Sequence, residues 1–330
     1  MMNEALNYFR EDARFEQLFK LFKKKYESLG RIGGTVKIDS FHEKELDAIA
    51  KFFGVTIQEL RRKGKVSLIE FEKQLKRTRF SEIELKELLE EYFGEPLISN
   101  REKKQLELEQ QAQYITMLKH QFPRLKFWLE YLEHRSPDTF WIYRLLQDNP
   151  EVFQEEAKYL ERAYVNLPTN YERLPLFSQR ITRDPHAFDM NRNLGKLFLH
   201  ILAVDQKTED YVVLPVDTES INSLLFEYRL LRDDITNYVT CANLLAERED
   251  GVHPLWEAAV KTKSVMNTPL RELLNLTKVY PADEEKRVWI VENSGVYSSI
   301  LDHVPGVPLI CTHGQFKLAV FALLDKLVEN

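Results

Sequence analysis

Arg287-Val-Trp-Ile-Val-Glu-Asn-Ser-Gly-Val-Tyr-Ser-Ser-Ile-Leu-Asp-His303, followed by Pro308-Leu-Ile-Cys-Thr-His-Gly-Gln315, is the stretch whose reading decides the fold. The β-branched run Arg287 to Val291 predicts a strand and Ser294 to His303 a helix. Pro308 to Cys311 predicts a second strand, and Lys317 to Val328 a second helix. Apolar strands alternating with helices predict a parallel sheet covered on both faces, with ligand sites beyond the carboxyl ends of its strands. Glu292 stands at such an end, with Asn293, Ser294 and Gly295 in the turn behind it. A carboxylate there is a candidate ligand for a hard divalent cation; a ribose contact or an ordinary surface glutamate fits the spacing equally. The second turn, Thr312-His-Gly-Gln315, offers backbone amides at a helix N-terminus, with Gly314 permitting close approach of an anion such as phosphate. A tight turn that needs Gly314 for its dihedral angles is the alternative.

Upstream the pattern is helical. Phe15, Leu18, Phe19, Phe22, Tyr26 and Leu29 recur at helical spacing, and Gly30, Gly33 and Gly34 break the pattern before a β-like run, Thr35 to Ile38. Ser40 with Glu43 and Ser81 with Glu84 read as capping boxes, each feeding an apolar face that stops at a glycine, Gly54 or Gly94. Ser99 with Glu102 opens a third segment, Arg101 to Phe122, free of glycine and proline, which predicts a long helix. Pro137 and Pro150, after Ser136 and Asn149, sit where first-turn prolines belong. These signals divide the chain into an N-terminal arm domain (1–115), a helical middle (116–278) and a C-terminal α/β segment (279–330), an α+β protein.

With 330 residues, 44% hydrophobic and 12% aromatic, the chain can bury a substantial core, and its length fits two or three domains. The apolar run Leu318 to Leu324 is too short for a membrane span, and a charged stretch follows Met1, so a soluble, cytoplasmic protein is expected. Cys241 and Cys311, seventy residues apart, lack zinc or disulfide-framework spacing and are expected in the core. A net charge of −6 excludes coating of nucleic acid by bulk positive charge. Between Arg61 and Arg79, however, eight basic residues face two acidic ones, Glu70 and Glu72. Lys73, Lys76 and Arg77 in that stretch can meet phosphates, or form a solvated face beside a helix.

Val291-Glu-Asn-Ser294, Leu309-Ile-Cys-Thr-His-Gly-Gln315 and Phe321-Ala-Leu-Leu-Asp-Lys-Leu327 resemble the opening of the Toprim-like domain of the Wadjet JetD family, relatives of the topoisomerase VI A subunit. Further segments resemble successive blocks of the same family in the same order. They are Gly64 to Leu68 with Leu75 to Arg79, Leu174-Pro-Leu176 with Asp184-Pro-His186 and Asp189, Leu230 to Ile235, and Thr268 to Leu273. The resemblance implies a nuclease subunit that cuts closed-circular plasmid DNA with Mg²⁺ or Mn²⁺. It further implies an SMC-like ATPase and kleisin-type partners, a homodimer and no membrane. Glu292 matches the Toprim glutamate that ligates metal or moves a proton, and Thr312, Gly314 and Gln315 match the second strand-to-helix loop. Relatives carry a winged-helix-like DNA-binding element in the middle region. Ile221 to Leu245 is the segment expected to supply it, with Arg229, Arg232 and Asn237 as backbone contacts; a packed helix pair fits the same periodicity.

Two departures limit what the resemblance carries over, the first in the chemistry and the second, Phe316, in a turn alone. A Toprim site needs an Asp-x-Asp pair after a third strand, and the sequence to Asn330 contains no Asp-x-Asp; Asp325 falls within helical apolar periodicity. The C-terminal segment is therefore expected to be the first half of a Toprim-like module, poorly able to hold Mg²⁺ and inactive alone. A non-catalytic DNA-binding or adaptor subunit is the competing expectation. Phe316 also stands where relatives have proline. Asp184, His186 and Asp189 read as a polar turn around Pro185 in preference to metal ligands, and Tyr238 lacks the surroundings of a tyrosine nucleophile. No histidine has triad spacing to a serine or cysteine.

Overall fold

The computed structural model describes residues 1–206, 212 and 214–328. The chain divides into two units, Met1–Tyr114 and Ile115–Asn330. The class is α+β as expected; at 58% helix, helices form most of the framework and the sheets are small.

In the first unit, α1 (Met2–Arg10) and α2 (Glu16–Leu29) turn Phe9, Phe19 and Phe22 inward, beside Phe15. Helix α2 ends at Gly30, whose φ of 68° suits glycine, before β1 (Thr35–Lys37). The unit is completed by α3 (Glu43–Phe53), α4 (Ile57–Lys63), β2 (Lys65–Ser67), α5 (Leu68–Leu75) and α6 (Leu85–Phe93). Strand β2 runs antiparallel to β1 with Val66 opposite Val36. The core is aromatic: Phe52 stacks on Phe71 at 4.4 Å, and Phe9 lies 5.6 and 5.9 Å from them.

Two caps differ from expectation. The box read at Ser40 and Glu43 forms instead between His42 and Glu45, whose carboxylate accepts the His42 N–H at 2.7 Å. The Ser81–Glu84 box does not form, because α6 starts only at Leu85 with Glu84 as its N-cap, and the Leu85 N–H donates to the Glu72 carboxylate at 3.3 Å. A tertiary acceptor has replaced a local one. The Ser99–Glu102 box is present, with both bonds at 2.8 and 3.1 Å, and opens α7 (Asn100–Gln121).

The second unit begins with packed helices: α8 (Lys126–Glu133), α9 (Phe140–Asp148), α10 (Pro150–Val165), then β3 (Glu172–Arg173), α11 (Leu174–Thr182) and α12 (Asn193–Asp205). Pro150 opens α10 directly, whereas Pro137 opens a 3₁₀ turn ahead of α9. Helix α12 buries Leu197, Phe198, Ile201 and Leu202 completely. Its first turn lies against the preceding loop so closely that a Cβ on Gly195 would sit 2.3 Å from the Asp189 carbonyl oxygen. His200, on the same helix, accepts the Trp128 indole N–H at its Nδ1 (2.9 Å) and donates from Nε2 to Asp138 (3.0 Å). Indole only donates, so the imidazole is held neutral as the Nε2–H tautomer. Burial, opposed by Asp138, keeps this histidine from charging at its ordinary pH.

The remainder is α13 (Thr218–Glu227), β4 (Leu230–Leu231), β5 (Tyr238–Ala242), β6 (Leu244–Arg248), β7 (Gly251–Val252), α14 (Pro254–Thr262), β8 (Met266–Pro269), α15 (Leu270–Leu273), β9 (Lys278–Pro281), β10 (Trp289–Val291), α16 (Ser294–His303), β11 (Leu309–Cys311) and α17 (Leu318–Val328). The expected β-α-β-α order of the C-terminus is present, with β10 parallel to β11. Four expectations are corrected. The sheet is mixed: its order is β10-β11-β5-β8, with β5 antiparallel to both neighbours. It is not covered throughout, because edge strand β10 leaves Trp289 and Ile290 exposed. Residue 278 is not a sheet boundary, since β5 and β8 pair into the sheet of β10 and β11. Finally, Ile221 to Leu245 is not helix-turn-helix: one helix, α13, is followed by strands β4, β5 and β6.

Two measurements follow from α12. Replacing Gly195 by Ala is expected to cost about 1–3 kcal/mol, read by urea unfolding, because the added carbon meets backbone oxygen that cannot step aside. Unfolded chain takes a proton on His200 near the ordinary value of 6.5 while the folded state resists it, so stability falls as pH drops through that value. The loss between about pH 7.5 and 5.5 is expected to shrink in His200→Gln, and an unchanged loss would exclude His200 as its source.

Candidate functional site

Glu292 occupies the place its sequence predicts, directly after β10, with an exposed side chain. The backbone ties this turn to the one after β11: Thr312 N–H donates to the Val291 carbonyl and Gly314 N–H to that of Glu292, both at 3.0 Å. Gly314 takes φ of 82°, and a Cβ there would lie 3.9 Å from Glu292 Oε1. The carboxylate thus hangs beside the second turn, and the glycine keeps the space in front of it open. Asn293 is committed to capping α16, its Oδ1 accepting from Gly295 and Val296 at 2.8 and 3.3 Å.

The second turn does not provide the anion cradle expected of it. The amides of Thr312 and Gly314 are engaged as above, and that of Gln315 donates to the Thr312 carbonyl at 3.2 Å. Thr312 is also buried, at 2% exposure. The alternative of a tight turn that uses Gly314 for its dihedral angles describes this loop.

Neighbours invisible in the local sequence surround the turn. His313 Nε2 lies 2.6 Å from Thr240 Oγ1, and the Thr240 hydroxyl donates to Asn267 Oδ1 at 2.6 Å. The single hydroxyl proton goes to Asn267, so Nε2–H of His313 donates to Thr240. Tyr238 meets the His313 ring edge-on at 5.9 Å, and the Lys317 ammonium lies 5.3 Å from the Tyr238 ring. Side chains of β5 and β8 therefore set the conformation of the loop facing Glu292. Period-two alternation places Tyr238 and Thr240 on one face of β5, but no local signal identifies which strand lies beside that face.

The other predicted residues are elsewhere. Asn237 is buried, and its Oδ1 accepts the Ala319 N–H at 2.9 Å at the start of α17. It is a structural cap, with no surface for DNA. Arg229 and Arg232 are exposed between α13 and β5 and line separate cavities, neither of which includes Glu292. Lys73, Lys76 and Arg77 are exposed in the first unit, and among the described residues none forms an ion pair. The Asp184 to Asp189 segment is the polar turn expected: Asp184 accepts the His186 N–H at 2.9 Å and pairs with Arg192, while His186 meets Asp189 at 3.0 Å. Cys241 and Cys311 are free thiols in the core, and burial pushes Cys241 up to about 12. Among the described residues no three His, Cys, Asp or Glu side chains are grouped to hold a metal ion.

A family model described as "Protein of unknown function N-terminus (DUF3323)" matches residues 32–246, and one described as "Protein of unknown function C-terminus (DUF2399)" matches residues 266–330. No curated protein and no solved structure matches the chain.

Thr240→Val tests the support of the loop. It strands the Asn267 carbonyl and the His313 N–H at a position only 6% exposed. A loss of about 1–3 kcal/mol in chemical unfolding is expected; a change within error would show that water replaces the hydroxyl.

Proposed function

The chain belongs to the DUF3323 family, with a DUF2399 region at its C-terminus, and from that premise we propose that it is the DNA-cleaving, JetD-like subunit of an SMC-like (Wadjet) plasmid-defence complex. The observation that carries the reading is the setting of Glu292: a carboxylate at the carboxyl end of a strand parallel to β11, beside the glycine of the next strand-to-helix turn. The pairing of an N-terminus and a C-terminus family match on one chain is the architecture of JetD-like proteins, and it supports the same reading. Among the described residues no helix is long and apolar enough to cross a membrane.

The reaction is hydrolysis of a phosphodiester: water oxygen bonds to phosphorus, one bridging P–O bond breaks, and the leaving oxygen takes up a proton. Mg²⁺ or Mn²⁺ is the metal of the reading, and it would stabilise charge on the phosphate and activate the water. The described residues alone do not make its site, because Glu292 stands without two further carboxylate, histidine or thiolate groups. What Glu292 itself can do is accept a proton from an attacking water or ligate through one carboxylate. Lys73, Lys76 and Arg77 supply exposed positive charge for the DNA backbone. Closed-circular double-stranded plasmid DNA, an SMC-like ATPase, kleisin-type subunits, a second copy of the chain and a cytoplasmic setting complete the proposal.

Glu292→Gln, made in the natural gene and assayed on supercoiled plasmid with the partner ATPase and Mg²⁺, is expected to reduce cleavage by about a hundredfold or more. DNA binding is expected to persist. Cutting at the wild-type rate would remove Glu292 from the reaction; a wild-type protein that binds but never cuts would favour a non-catalytic adaptor.

A further inference from the structure

A cavity of about 480 Å³ in the second unit is lined by three arginines, Arg173, Arg229 and Arg271, together with Tyr171 and Asp234. It shares no residue with the Glu292 turn. Asp234, 8% exposed at its side chain, accepts from Arg173 Nε and Nη2 at 3.3 and 2.8 Å, and Arg271 Nη1 lies 3.7 Å away. One buried carboxylate thus positions two guanidiniums and neutralises only one. A guanidinium carries five N–H donors, and Asp234 engages two on Arg173. Arg229 adds a third positive charge and forms no ion pair among the described residues. Its backbone is held at φ of 59° while its carbonyl accepts the Glu172 N–H at 2.9 Å. Three guanidiniums against one carboxylate leave an excess of two positive charges in a concave site, and a planar donor fork matches phosphate geometry.

The aromatic member narrows the ligand further. Tyr171 is 45% exposed, and its ring is stacked on Phe226 with centroids 4.8 Å apart and planes 24° from parallel. A ring immobilised by one partner and still exposed is a platform for a second flat group. Phosphate-binding arginines beside a stacking ring, in a space of this volume, fit one nucleotide better than an isolated anion, which has no use for the ring. A base inside a duplex is already stacked and paired, so it cannot use the platform.

We propose that this cavity binds one nucleotide unit of an unpaired nucleic-acid strand, with its phosphate on Arg229, Arg173 and Arg271 and its base on Tyr171. The site is independent of the assignment of Glu292. Fluorescence anisotropy of a labelled oligothymidylate of about twelve nucleotides, with EDTA present, reads binding without cleavage. Arg229→Glu and Tyr171→Ala are each expected to weaken it about tenfold or more. Arg229→Glu should also reduce the slope of affinity against salt. Both substituted side chains are exposed; Arg229→Gln and Tyr171→Leu, with thermal melts matched to wild type, repeat the test should either variant misfold. Displacement by thymidine 5′-monophosphate would identify a free nucleotide as the ligand, and failure to displace would identify the strand, each with the same pocket. Absence of binding to both probes, or binding indifferent to the Arg229 and Tyr171 variants, overturns the proposal.

Discussion

Strand β5 has hydrogen-bonded neighbours on both edges, and Val239, Thr240, Cys241 and Ala242 are all buried. Such a strand has no solvent to satisfy its polar groups, so everything around it must supply partners. β11 and β8 take its backbone, and Asn267 and His313 take the Thr240 hydroxyl. Asn237, immediately before it, caps α17. Asn243, immediately after it, adopts φ of 59° and donates to the carbonyls of Pro305 and Val307 at 3.1 and 2.7 Å. The placement of the β10 and β11 turns, and so of Glu292 beside Gly314, depends on this strand.

That dependence separates what the sequence showed from what it concealed. Helices with a clear apolar face and a glycine stop, such as α2 and α3, were legible because periodicity and left-handed termination are local properties. The C-terminal β-α-β-α order and the strand-tip position of Glu292 were legible for the same reason. The strands within Ile221 to Leu245 were not legible, because Leu230-Leu231 and Tyr238 to Ala242 are short apolar runs, in which a helix turn and a buried strand have the same composition. Their state is decided by β3, β8 and β11, which are distant in sequence.

The caps repeat the lesson on a smaller scale. Ser99 with Glu102 satisfies its own helix and follows the motif. At Ser81 the motif was present, but α6 starts only at Leu85, whose amide goes to Glu72 of a neighbouring helix. Asn237 illustrates the converse: a polar residue beside two arginines invites a surface role, yet its amide is consumed 82 positions downstream. Buried Asn237 and Asn243 serve the backbone, while the exposed Lys73, Lys76 and Arg77 remain available to anions.

The bond between Asn237 and Ala319, and the pairing of β5 with β11, join segments of the chain separated by some seventy to eighty residues. During synthesis β5 therefore leaves the ribosome long before either partner exists, with the thiol of Cys241 and the side chain of Val239 still uncovered. Closing loops of this length costs chain entropy before the contacts repay it, so the β5–β11 pairing is expected to form after the local helices. Until residues 309–319 have been made, one edge of β5 and the Asn237 acceptor have no partner.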